Sequence, residues 1–221
     1  DKLDHTYTWQ TTKAPTCTED GIEEYICSVC GTTTDTRAIE KLGHSSCTWK
    51  VTKEPTYTED GEESYICSRC GKATNTRPVP ALGEIYYYDF DENNKEFINK
   101  QYSGPISVIL NSYDGHALDS GWYYIMGDDV AVQNRITLSG DVYFILADGC
   151  HLTAEQGIQV GSSFTVYAQS ADAEKMGKII ASSADKYPGI GAGNNANCGN
   201  ITINGGTVTA TGGEYAAGIG S

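Results

Sequence analysis

The chain has 221 residues with 25 glycines and only 4 phenylalanines, a composition that suits repeated small units better than one dense core. Its 15 Lys+Arg against 29 Asp+Glu give a net charge of −14, which removes the attraction on which nucleic-acid and anionic-membrane binding depend. No apolar run approaches the roughly 20 residues of a membrane-spanning helix, so direct membrane insertion is not expected.

The first residues, DKLDHTYTW, carry neither the basic nor the apolar region of a signal peptide. The sequence begins inside a repeat and stops at Ser221 just after a Gly-Ile-Gly. It is therefore expected to be a piece of a longer polypeptide.

Two cysteine-bearing repeats lead the chain, residues 1–43 and 44–83. Trp9 recurs as Trp49, Pro15 as Pro55, Tyr25-Ile26-Cys27 as Tyr65-Ile66-Cys67 and Cys30-Gly31 as Cys70-Gly71, a shift of 40, while the leading histidines, His5 and His44, lie 39 apart. Units of this size rarely fold without a disulfide, a metal or a neighbour. Cys27-x-x-Cys30 and Cys67-x-x-Cys70, each followed by glycine, have the form of a zinc knuckle.

Repeat one has Tyr7 and Cys17 where repeat two has Cys47 and Tyr57, so each copy keeps three cysteines. If those two positions lie on adjacent strands, either thiol reaches the same point. The expected ligand sets are then His5, Cys17, Cys27, Cys30 and His44, Cys47, Cys67, Cys70, with structural zinc as the cofactor. Glu84 stands where a third leading histidine would be, as expected if each histidine serves the repeat that follows it.

Disulfides stay open as the alternative: Cys17 bridged to Cys47, and each CxxC closed on itself. A redox role for CxxC lacks its usual βαβ context, because Thr, Tyr, Val and Ile alternate here in short strand-like runs.

"CTEDGIEEYICSVCG" and "YTEDGEESYICSRCG" resemble the cysteine-containing, Gly-His-ended repeats of cell-surface proteins of Gram-positive bacteria. That resemblance covers residues 5–83. It implies a secreted, cell-surface protein with the repeats as spacer, and no activity.

Residues 84–120 read as a junction or N-terminal cap. Asp89, Asp91 and Asn93 begin like a calcium loop, but Asn94 replaces the required glycine and Lys100 the closing glutamate, so a solvated edge loop is expected. Tyr86, Tyr87 and Tyr88 are expected to pack over an open end of the next domain, with glycan stacking as a second use.

From 121 to 221 short β-branched strands alternate with glycine-rich turns and fall into rungs of three: 122–126, 130–133, 135–139; then 142–147, 151–154, 157–160; then 164–169, 178–182, 189–192; and 200–204, 207–211, 218–221. Three strands per turn with variable loops indicate a three-faced parallel β-helix. Phe164, Val166 and Ala168 should point inward, Val208 and Ala210 should fill a second face, and Ile158, Ile190 and Ile219 should stack on the third. Cys150 and Cys198, at corners of different faces, are expected to be buried free thiols.

"SGDVYFILADG", "INGGTVTATGG" and the repeated "GIG" resemble the β-helical domains of gut-type bacterial surface proteins. The fold class is thus mainly β, with two small cysteine-stapled, zinc-ribbon-like β repeats followed by the parallel β-helix.

Catalysis on such a fold needs clustered or paired carboxylates. Asp128, Asp129, Asp141, Asp148, Asp172 and Asp185 fall instead at corners and loops, where aspartates cap turns, and His116 and His151 have no companion nucleophile. The expectation is no enzyme but an extracellular adhesin or scaffold meeting glycans or host surface proteins through Tyr86, Tyr87, Tyr88, Trp122 and Tyr124. The alternative is the non-catalytic part of a polysaccharide lyase or glycosidase whose active coils lie beyond this sequence.

Overall fold

A computed structural model describes residues 4–113, 115–184, 186–193 and 197–220, and all regular structure among them is strand. The chain is mainly β, as its composition and periodicity indicate. It divides into two compact bodies, residues 1–49 with 64–76, and residues 50–63 with 77–221.

In the first body the opening repeat is an antiparallel meander of β1 (Tyr7–Lys13), β2 (Gly21–Cys27) and β3 (Thr33–Ile39) in that order. Its register runs from Tyr7 opposite Cys27 at one end to Lys13 opposite Ile22 at the other. The sheet has almost no apolar interior. Trp9 packs on Tyr25 with ring centres 5.1 Å apart, and the Arg37 guanidinium lies 4.2 Å above the Trp9 ring.

Most of β1 and β3 is exposed, so the hydrophobic effect alone holds this layer weakly, the situation in which small units rely on a disulfide, a metal or a neighbour. The second repeat follows the same plan with β4 (Cys47–Lys53), β5 (Gly61–Cys67) and β6 (Ala73–Val79). Its cysteine-bearing end belongs to the first body and its other end to the second.

The second body continues with the hairpin β7 (Ile85–Asp91) and β8 (Glu96–Tyr102), then β9 (Ser107–Ile109), β10 (Ala117–Leu118), β11 (Gly121–Ile125), β12 (Val130–Val132) and β13 (Ile136–Leu138). The next coils are β14 (Asp141–Leu146), β15 (His151–Ala154) and β16 (Ile158–Val160), then β17 (Ser163–Ala168), β18 (Lys178–Ser182) and β19 (Ile190–Gly191). The last coil is β20 (Asn200–Ile203), β21 (Thr207–Thr211) and β22 (Ile219–Gly220).

Three parallel sheets stack these coils: β9-β11-β14-β17-β20, β12-β15-β18-β21 and β10-β13-β16-β19-β22. This is a three-faced parallel β-helix, with its rungs where the spacing of strands and glycines placed them. Ser221 and Asp185 lie outside the described residues.

Inward side chains form continuous ladders. Phe164 aligns with Val142 and Ile201, and Val166 with Phe144 and Ile203; Phe144, Phe164, Val166 and Ala168 are fully buried. On the second face Ile179 aligns with Val208 and Ala181 with Ala210. On the third, Ile136, Ile158, Ile190 and Ile219 stack in register. A Cβ on Gly191 would fall on the Gly220 carbonyl oxygen, so only glycine lets these two coils approach at that corner.

The structure corrects one boundary and one placement. β9 and β10 already pair with β11 and β13, so the β-helix begins near residue 107 rather than 121. Strands of three and two residues are too short to show a period. The β7–β8 hairpin, expected over an open end, instead lies against the outer face of the first sheet, where Tyr87 meets Trp122 and Tyr167.

The acidic stretch ends β7 and runs into the hairpin turn at residues 92–95. Asp91 accepts hydrogen bonds from the amides of Asn93 and Asn94, and Lys95 takes a positive φ of 56°.

Candidate functional site

Each CxxC sits where a strand end meets a tight turn. In repeat one the Gly31 amide donates to the Cys27 carbonyl at 2.9 Å, the Cys27 amide donates to Thr32 at 3.0 Å, and Gly31 adopts φ +73°. Repeat two does the same with Gly71 at φ +71°. A side chain is strained there, which explains the glycine after each second cysteine.

The Val29 amide points at the Cys27 sulfur, 3.4 Å away. Burial opposes ionisation of Cys27, but the amides of Cys30 and Val29 outweigh it and its pKa falls.

Two clusters result. His5, Cys27 and Cys30 form one; Cys17, His44, Cys67 and Cys70 form the other, with each group's ligand atoms within 4.8 Å of one another. Ligands of a tetrahedral zinc, with bonds of about 2.3 Å to sulfur and about 2.0 Å to nitrogen, sit about 3.8 Å apart for two sulfurs and about 3.5 Å for sulfur and nitrogen.

The observed separations lie close to those values. His5 Nδ1 is 3.3 Å from Cys27 Sγ and 3.5 Å from Cys30 Sγ, His44 Nδ1 is 3.6 Å from Cys70 Sγ, and Cys17 Sγ is 4.0 Å from Cys67 Sγ. Both clusters can hold a metal ion. The His44 imidazole, with the amides of Cys70 and Arg69, brings the Cys67 thiol down to about 6, which prepares it as a thiolate. Burial pushes the Cys17 thiol up, and the neighbouring Cys70 and Cys67 add to that shift, as expected where several thiolates face one point without a cation.

The grouping expected from the sequence is corrected in two respects, at Cys17 and at Cys47. Cys17 does not join His5, Cys27 and Cys30, because it lies in the turn after β1, at the opposite end of the β1–β2 hairpin from the knuckle of its own repeat. A strand of seven residues rises about 20 Å, far beyond the reach of a cysteine side chain.

Positions 7 and 17 do converge, but across the repeats: Cys17 of repeat one and Cys47 of repeat two both reach the second knuckle. Cys47 is half-buried and its thiol donates to the His44 carbonyl at 3.3 Å, outside the four-donor set. Each histidine does face the knuckle of the repeat that follows it.

The aromatic residues proposed as a ligand surface separate into two groups. Trp122, Tyr143 and Tyr167 point outward from the first sheet, with Trp122 centred 4.6 Å from Tyr143 and 5.5 Å from Tyr167, and Tyr87 and Tyr102 of the hairpin close over them. Ile85 and Ile145 are fully buried in the same layer. Tyr87 and Trp122 are therefore packing residues, and Tyr124 is buried at 6% exposure. Trp122 and Tyr124 share the outer face of β11, but a strand pattern says nothing of a hairpin laid over it.

Tyr86 donates to Glu84, and Tyr88 faces a different surface. With Phe97, Ala168, Ala171, Met176, Ile203, Asn204 and the glycines after it, Tyr88 lines an open cleft of about 400 Å³. Phe97, 54% exposed, escaped notice in the sequence because it sits in a mostly polar strand, EFINKQY.

The corner aspartates are engaged locally. Asp141 accepts from the hydroxyls of Ser163 at 2.7 Å and Ser162 at 3.0 Å, and both lower its pKa. Asp128 is held low by Asn111, and Asp172 by the Glu174 amide and Lys175. Cys150 is buried and its thiol is pushed up to about 12; Cys198 is only half-buried, so the expectation of two buried thiols holds for one of them. Among the described residues no helix is long and apolar enough to cross a membrane.

A family model described as "Beta helix repeat" matches residues 201–221, within the last coil. No curated protein and no solved structure matches the chain significantly.

Proposed function

We propose that this chain is an extracellular, non-catalytic scaffold in which cysteine repeats held by zinc act as spacer and the β-helix presents a glycan-binding cleft. The observation that carries the binding part is the open cleft between the hairpin and the last coil, where Tyr88 and the exposed ring of Phe97 offer flat apolar faces suited to a sugar ring.

Zinc is the metal we assign to the repeats, because the donors are thiolates and imidazoles at tetrahedral separations. Placement at the cell surface rests on the resemblance of the two repeats to bacterial surface spacers. A non-catalytic role is supported by the corner aspartates Asp141, Asp128 and Asp172, whose pKa values are shifted down, away from the range of a general acid.

The test is a glycan array probed with the chain and with Phe97→Ala and Tyr88→Ala. Retention of a defined glycan set that drops about tenfold or more in either variant supports the reading. A blank array leaves a spacer without ligand and removes the binding part. Cleavage of pectin or mucin by the chain itself contradicts the whole proposal.

A further inference from the structure

The four-donor cluster draws its ligands from both repeats. Cys17 comes from the β1–β2 turn of repeat one, whereas His44, Cys67 and Cys70 belong to repeat two. We propose that these four residues bind one zinc ion that ties consecutive repeats together, each repeat passing a thiol forward to close the site of the next. This rests on the zinc reading above and specifies how the ion acts: as a joint between units, not a staple inside one.

Three observations carry it. Cys17 is 6% exposed and Cys67 is 1% exposed, so two thiols from different repeats are buried against each other in a body that has little apolar packing to justify it. Their separation of 4.0 Å is too long for a bonded pair of sulfurs and close to the spacing that a shared tetrahedral ion imposes.

The third concerns position 17 itself. In repeat two it is Tyr57, and no cysteine knuckle follows that repeat in the sequence; the Tyr57 hydroxyl instead donates to the Gly104 carbonyl at 2.9 Å, and its ring packs against the β-helix core. The cysteine is present where a next knuckle needs it and replaced where none follows.

By contrast, the first cluster has three protein donors among the described residues, two of them on exposed residues. An ion there keeps an open fourth position and exchanges more readily than the closed site. Binding at each cluster releases thiol protons; two thiolates neutralise the ion at the open site, and three leave the closed site with one net negative charge. Cys47 hydrogen-bonds the His44 carbonyl and also lies beside the Cys67 thiol, but it is not among the four mutually close donors.

The test uses the full chain, reduced and loaded with Zn²⁺ or Co²⁺, and compares wild type with Cys17→Ser, Cys47→Ser and Cys30→Ser. Expected are two bound ions of unequal affinity. Cys17→Ser should weaken the tighter one by about 100-fold or more, with loss of thiolate-to-cobalt absorption and faster proteolysis between residues 40 and 46. Cys47→Ser should keep the tight ion, and Cys30→Ser should lose only the weak one.

Cys17→His, which restores a donor, should recover part of the affinity and so separates lost ligation from misfolding. Retention of both ions in Cys17→Ser, with loss of the tight one in Cys47→Ser, would show a site closed within repeat two and overturn the inference while leaving zinc in place. Absence of any bound ion in reduced wild type would remove the zinc reading and the inference with it.

Discussion

Single side chains at the corners of the β-helix do two kinds of work. Arg135 has half-buried surroundings and donates to the carbonyls of Gln156, Pro188 and Ala192, while its guanidinium lies 5.0 Å above the Tyr187 ring. One planar group thereby joins the turns of two neighbouring coils, which the point charge of lysine cannot do. Arg135→Lys should cost about 1–3 kcal/mol in chemical denaturation, since it leaves buried carbonyls unmatched.

Asp141 gives a pH signature. The hydroxyls of Ser163 and Ser162 favour its carboxylate, so its folded pKa lies below the unfolded one. Its contribution is present above the ordinary carboxylate value of about 4 and disappears as pH falls through the lowered folded value. The difference in melting temperature between wild type and Asp141→Asn should be constant from pH 8 to about 5 and shrink below about 4; a constant difference down to pH 2 would contradict this assignment.

At the scale of elements, strand periodicity made the β-helix legible because each coil repeats the same physical demand: apolar residues inward at every second position, and glycine where the chain must turn. Ile158, Ile190 and Ile219 could be placed on one ladder from spacing alone, and they stack in register. The hairpin of β7 and β8 could not be placed. Its aromatic residues look alike in sequence, yet Tyr87 is locked against Trp122 and Tyr167, and Tyr88 is turned toward a cleft.

Alternation predicts which residues share a face but not what covers that face. Trp122→Ala should therefore loosen the hairpin, costing about 2 kcal/mol, roughly half the value for a fully buried ring. Amide exchange in residues 85–102 should rise while the strands of β18 and β21 stay protected. Unchanged exchange in the hairpin would mean that these rings do not hold it.

For the whole molecule, the two bodies rest on different forces. The β-helix buries continuous ladders of Ile, Val, Leu and Phe, whereas the first body exposes most of β1 and β3 and concentrates its buried groups at cysteines. Chelation should therefore lower the stability of the cysteine repeats and leave the β-helix unchanged. Trp9 and Trp49 report the first body and Trp122 the second, so EDTA should shift the thermal transition seen in a Trp122→Phe background and spare the one seen in a Trp9→Phe, Trp49→Phe background. Equal shifts in both would show that the bodies unfold as one unit.

The cysteine knuckles were readable from spacing, because two thiols and a glycine within five residues have few other uses. The thiol partner of the second knuckle was not readable, since Cys17 lies 50 residues from Cys67 along the chain and in another repeat. That long-range placement of Cys17 gives the array a direction and a punctuation mark. With the proposed zinc joint, a cysteine in the first turn of a unit reads as "continue", and a tyrosine there, as at Tyr57, reads as "stop". Arrays written in this way can be lengthened by copying whole units upstream of the tyrosine without redesigning any junction.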